Sequence, residues 1–272
     1  MPRVNANGVE LYYEEAGEGT PLILQAHALL PWLQFQVPFF AQRYRVITLD
    51  RRGTGRSALP EGDWTVADFT ADVRGLMDAL GIERAIIGGA SLGGMIACQF
   101  GLDYPTRALA LVIGHTVPYL WPLAREWNEN LMAAMAAGDP GIPMQPRSYD
   151  WEAIGPPSQN PDFATAPLGK LLAASARVAT VPSGGAAAKM ARAIDQWDIR
   201  PRYAELNALT VPALVIVGGH EPQKTVELAY EWHREMPKSE FFLMPDAYHG
   251  AAREQPLEWN SAVLAFLQRH GQ

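Results

Sequence analysis

The chain has 272 residues, of which 48% are hydrophobic and 19% charged, and its formal net charge is −7. This size predicts one large α/β domain or a core with an inserted subdomain, and the composition excludes global disorder. The acidic balance, without a block of Lys and Arg, argues against nucleic acid or an anionic membrane as a partner. No signal peptide or membrane-spanning run is visible, so we expect a cytoplasmic protein.

The first 115 residues alternate between predicted strands and helices. Asn7-Gly8 is a strong hairpin turn, so 4–15 should form an antiparallel hairpin. Apolar runs and their spacing predict further strands at 22–24, 44–49, 86–88 and 108–113, and helices at 32–42, 66–80 and from 92 to Pro105. This rhythm is typical of a mostly parallel sheet with helices on both faces, whose ligands bind beyond the carboxyl ends of the strands.

The alternation of predicted strands and helices stops between about 116 and 205. Strand signals vanish there, helical stretches occur near 121–137, 168–180 and 185–196, and four of the eight tryptophans fall in this region. Because long insertions at the active-site edge are usually functional, we interpret 116–205 as a helical cap over the site. The core would then comprise 1–115 and 206–272, with strands at 211–217 and 240–244 and helices at 224–235 and 256–270.

The stretch Ile86–Ala97 contains Gly-x-Ser-x-Gly, as Gly89, Ser91 and Gly93. Between a strand and a helix, this spacing predicts a sharp turn that holds the serine hydroxyl in the open. Positive φ at such a serine costs about 1–3 kcal/mol. Glycine on either side avoids collisions with the neighbouring elements, and the helix N-terminus stabilises developing negative charge. We therefore predict that Ser91 is a nucleophile.

A serine nucleophile needs a histidine base, and that histidine needs a carboxylate. In this topology the order along the chain is serine, acid, histidine. Glu221 and His249 each follow a predicted strand after Ser91 and are our acid and base. The other histidines are weaker candidates for the base. His115 could line the pocket instead, and the rest are His220, His233 and His270.

The oxyanion of a tetrahedral intermediate needs two backbone N–H donors. One should come from Leu92, and the other from the loop after the strand at 22–24. No metal-ligand cluster and no phosphate-binding loop is visible, so we expect neither a metal nor a cofactor.

These motifs closely resemble the α/β-hydrolase superfamily over about 4–115 and 205–270. The likeness is carried by four stretches, which are Gly89–Gly93, Asp50–Ser57, Gly218–Pro222 and Pro245–His249. The resemblance implies a Ser91–His249–Glu221 triad and an acyl-enzyme. The chain departs from the family at two points: it has Gln25-Ala26-His27-Ala28 where His-Gly is usual, and glutamate where the acid is usually aspartate. The second oxyanion donor is then the amide of His27 or, in the other alignment of the loop, that of Leu29.

The run Asp72–Leu92 resembles the enol-lactonase and small-esterase branch. We therefore expect a serine hydrolase acting on a small carboxylic ester or lactone, with His115, Trp121 and Trp127 in the substrate pocket. The alternatives are C–C bond hydrolysis of a ring-cleavage diketone, a perhydrolase activity, or a non-catalytic binder of a small ligand with a vestigial triad. The sequence leaves open the acyl group, the leaving group and whether the chain forms a homodimer.

Overall fold

A computed structural model describes residues 3–25, 29–136 and 184–272. Eight strands form one sheet in the order β1-β2-β4-β3-β5-β6-β7-β8, and every pair from β4 to β8 is parallel. The strands are β1 (Arg3–Ala6), β2 (Val9–Ala16), β3 (Thr20–Gln25), β4 (Tyr44–Leu49), β5 (Ala85–Ala90), β6 (Ala108–Gly114), β7 (Ala213–Gly218) and β8 (Ser239–Met244). The expectation of an α/β fold with a mostly parallel sheet is confirmed.

The helices of the described ranges connect these strands. They are α1 (Leu29–Phe40), α2 (Val66–Ala79), α3 (Leu92–Asp103), α4 (Pro122–Ala136), α5 (Gly184–Asp195), α6 (Tyr203–Ala208), α7 (Gln223–Arg234), α8 (Ala251–Glu254) and α9 (Pro256–Arg269). Thr65 caps α2 through a reciprocal bond with Asp68, as a Thr-x-x-acid pattern favours. None of these helices combines the length and apolarity needed to cross a bilayer.

The predicted elements match the structure closely, with three differences. α1 begins at Leu29, three residues before the predicted start, and the short helices α6 and α8 were not predicted. Short helices carry little periodic signal, so their sequences read as loops. The predicted helix at 168–180 lies outside the described residues.

The core has one apolar cluster on each face of the sheet. On one face α2, α3 and α7 bury Phe69, Phe100 and Trp232. On the other face α1 and α9 bury Trp32 and Trp259, whose ring centroids lie 5.4 Å apart. Each buried aromatic side chain contributes roughly 1.5–3 kcal/mol. Packing from both sides fixes the strands in register, so the loops at their carboxyl ends have a rigid base.

Candidate active site

Ser91 lies at the turn between β5 and α3. Its φ of 57° is in the left-handed region, which non-glycine residues rarely adopt. The turn is held because the Ser91 N–H donates to the Gly114 carbonyl (2.9 Å) and the Ser91 carbonyl accepts from Gly94 N–H (2.9 Å). Leu92 is the first residue of α3, so its N–H has no acceptor within the helix.

Gly89 and Gly93 allow this turn to pack against β3. A Cβ atom at either position would collide with the backbone carbonyl oxygen of Gln25. Backbone of a central strand cannot move aside as a flexible side chain can. The close approach of α3 to the sheet therefore requires glycine at both positions, as the sequence pattern predicted.

Glu221 and His249 lie in the loops that follow β7 and β8, and their side chains are in contact. His249 Nδ1 is 2.9 Å from Glu221 Oε2. The two loops are joined by backbone bonds, in which Gly219 N–H donates to Met244 (2.7 Å) and His220 N–H to Ala247 (2.9 Å). The acid and the base are thus held together by the parallel pairing of adjacent strands.

Electrostatics fixes the charge of this pair. Burial alone would raise the pKa of Glu221, but the charges and hydrogen bonds of His249 and His115 outweigh it and hold the pKa well below its usual range. For His249, desolvation opposes the charged ring, but the charge and hydrogen bond of Glu221 raise its pKa above the usual 6.5. Glu221 is therefore an ionised acceptor, and His249 Nδ1 must carry the proton.

His115 is the second histidine on the same acid. Its Nδ1 lies 3.1 Å from Glu221 Oε1, and its side chain is fully buried. The sequence placed His115 on the pocket wall, and the structure shows its ring in contact with Glu221. Its contact with a substrate stays a prediction. Sequence reasoning missed the contact with Glu221, and the only available signal was the position of a histidine directly after β6.

The rival histidines have other partners. His220 stacks on Tyr248 (4.8 Å between ring centroids), His233 Nδ1 is 2.7 Å from Ser239 Oγ, and His270 Nε2 is 3.0 Å from Glu240. These contacts leave His249 as the histidine best placed to act as base.

The remaining predicted site residues are less fully described. His27 lies outside the described residues. Trp121 is half-buried directly before α4, and Trp127 falls within α4, with its side chain outside the described part. Among the residues that the structure describes, no group of three or more His, Cys, Asp or Glu side chains is arranged to hold a metal ion.

Comparison with known proteins agrees with this architecture. The family model of the alpha/beta hydrolase fold matches residues 21–256. The chain is 26% identical over 270 residues to 3-oxoadipate enol-lactonase 2 of Acinetobacter baylyi, covering 98% of this chain and 96% of that protein.

Two solved structures are similar over nearly the whole chain. The enol-lactonase of Burkholderia xenovorans LB400 has a TM-score of 0.77 at 26% identity and covers 98% of this chain and 100% of its own. A thermophilic esterase of Thermogutta terrifontis, crystallised with malate, has a TM-score of 0.80 at 26% identity and covers 100% of both chains. With the family model matching most of its length, the chain belongs to the α/β-hydrolase fold family.

Proposed function

We propose that this protein is a serine hydrolase that cleaves a small carboxylic ester or lactone through an acyl-enzyme. The observation that carries the proposal is the contact of the buried, ionised Glu221 with His249. Glu221 follows β7, and β5, two strands away in the same sheet, leads to Ser91 at a strained turn. The similarity to enol-lactonases and an esterase supports the substrate class.

The reaction would begin when Ser91 Oγ attacks the carbonyl carbon of the substrate. With its proton on Nδ1, His249 has its basic lone pair on Nε2, and Nε2 takes the serine proton. Glu221 stabilises the imidazolium that forms. The same ring then returns the proton to the leaving alcohol, or to the ring oxygen of a lactone, and later deprotonates the water that releases the acid.

The developing oxyanion would be bound by the N–H of Leu92 at the N-terminus of α3 and by the amide of His27. Each donor of this kind lowers the barrier by roughly 3–4 kcal/mol. The assignment of His27 rests on the sequence resemblance and not on geometry.

We further propose that 116–205 form the cap of the active site, with Trp121 and Trp127 on its substrate-facing side. In support, α4 and α5 pack together through the Asn128 side chain, which donates to the Ala191 carbonyl (3.0 Å), and through the Arg125–Asp195 ion pair (2.9 Å). Lys189 of α5 binds the Pro60 carbonyl (2.8 Å), which ties this pair to the loop before α2.

Turnover of p-nitrophenyl esters and small lactones tests the proposed function. We expect hydrolysis by the wild type and a loss of at least about 10³-fold in Ser91→Ala. Ser261→Ala is the matched control, because Ser261 is an exposed serine of α9 and should leave activity unchanged. A loss of less than tenfold in His249→Ala would remove His249 as the base. Cleavage of a vinylogous diketone without turnover of esters or lactones would instead support a C–C hydrolase.

A further inference from the structure

We infer that His115 is a positioning residue that fixes the carboxylate of Glu221 for its contact with His249. This inference rests on the proposed function and extends it. Glu221 Oε1 accepts from His115 Nδ1 (3.1 Å) and from the Gly218 N–H (3.3 Å), while Oε2 faces His249 (2.9 Å). Both carboxylate oxygens are thus assigned to separate partners, and the plane of the group is set.

The need for a second partner follows from the length of the side chain. Glutamate has one more methylene, and one more rotatable bond, than the aspartate usual in this family. Its carboxylate could therefore turn away from His249 if only one oxygen were held. A misplacement of about 1 Å in a catalytic group can cost about 10²-fold in rate.

The backbone places the His115 ring with the same rigidity. His115 N–H donates to the Ile216 carbonyl of β7 (2.8 Å), and the residue has a φ of 50°. Such a conformation costs about 1–3 kcal/mol and persists only where the surroundings enforce it. The strain thus lies at a residue whose ring touches the acid, which links it to the site.

The protonation pattern agrees with this role. Because the ionised carboxylate only accepts, His115 Nδ1 must donate its proton to Oε1. His115 Nε2 is buried and has no hydrogen-bond partner among the described residues. Nδ1 therefore makes the hydrogen bond of the ring to the site, and the ring also packs edge-on against the His249 ring, with 6.3 Å between the centroids. A donor at the Nδ1 position should restore the hydrogen bond to Glu221.

Two substitutions separate this role from simple packing. Asn places an amide nitrogen near the position of Nδ1 and tolerates positive φ, whereas Leu has a similar shape without a donor. With p-nitrophenyl acetate, we expect His115→Leu to lower kcat by about tenfold to 100-fold with KM changed less than about twofold. His115→Asn should keep kcat within about threefold of the wild type.

A measurement without turnover distinguishes a failure of this inference from a failure of the proposed function. In the proton NMR spectrum, the His249 Nδ1–H bonded to Glu221 should give a downfield resonance in the wild type and in His115→Asn, and this resonance should be lost in His115→Leu. If Leu does not fold, His115→Ala replaces it, since alanine also lacks a side-chain donor. Equal kcat and an unchanged resonance in Asn and the donorless variant would overturn the inference. A wild type that shows the resonance but hydrolyses no ester or lactone would refute the proposed function alone.

Discussion

Replacing Glu221 by glutamine should disable the base by changing its tautomer. Two donors, His115 Nδ1 and the Gly218 N–H, already point at Oε1. The amide oxygen will take that position, so the amide NH₂ will face His249. His249 Nδ1 must then accept, its proton moves to Nε2, and Nε2 can no longer take the proton of Ser91. In a serine triad, an amide in place of the acid lowers kcat by about 10⁴-fold.

The same substitution should move the pH profile in a defined direction. In the proposed mechanism His249 acts as a base only when it is neutral, so kcat/KM should rise with pH through the pKa of His249. Desolvation lowers that pKa, and the charge and hydrogen bond of Glu221 raise it above 6.5. Glu221→Gln removes the charge and hydrogen bond that raise the pKa, and leaves desolvation and the smaller raising effect of the Glu254 charge. The acidic limb should therefore move to lower pH while the plateau falls by about 10³–10⁴-fold.

Steady-state hydrolysis of p-nitrophenyl acetate between pH 5 and 9 measures both effects. Glu254→Gln is the matched control, because the charge of Glu254 also raises the pKa of His249 and its carboxylate accepts from the Tyr248 N–H. It should shift the limb slightly downward and keep the plateau within about threefold. A plateau loss of less than tenfold in Glu221→Gln, or a limb that stays or moves upward, would refute this reasoning.

Three further predictions concern stability, measured by urea unfolding. Gly93→Ala should lower the unfolding free energy by about 1–3 kcal/mol and abolish the proposed esterase activity, because its Cβ meets the backbone of β3. Gly185→Ala, with open space around it, should leave stability unchanged, and equal effects of the two substitutions would contradict the account. Asp72→Asn should cost about 3–5 kcal/mol, because it removes the buried carboxylate 2.6 Å from Arg52 and, among the described residues, leaves the guanidinium only the exposed Asp68 carboxylate at 3.8 Å. Glu15→Gln in the exposed pair with Arg45 should cost less than about 1 kcal/mol, and a loss below that for Asp72→Asn would be inconsistent with a buried pair. Arg51→Met should stabilise the fold by about 1–3 kcal/mol, because burial lowers the pKa of Arg51 to about 10 and its guanidinium has no hydrogen-bond partner within the described ranges. A loss of stability would contradict this and would indicate an anionic partner of Arg51.

The strands and helices could be predicted well from the sequence because the signals for them are local. Strand and helix periodicity, the turn at Asn7-Gly8 and the cap at Thr65 each act within a few residues, and the structure shows the elements that they predict. The glycines at 89 and 93 were informative for the same reason, since their spacing is dictated by one turn.

The site was only partly accessible to the same reasoning. The order of Ser91, Glu221 and His249 along the chain identified candidates, and the structure brings the last two into contact. The contact of His115 with Glu221 depends on the register of β6 against β7 and on a positive φ, and neither leaves a mark in sequence periodicity. The assignment of His27 to the oxyanion hole stays a prediction.

The reactivity of Ser91 is the central claim, and the intact mass of the protein after incubation with a fluorophosphonate tests it most directly. The account predicts a single adduct in the wild type that is absent from Ser91→Ala and retained in Ser261→Ala. A folded wild type that forms no adduct, or an adduct that persists in Ser91→Ala, would contradict it.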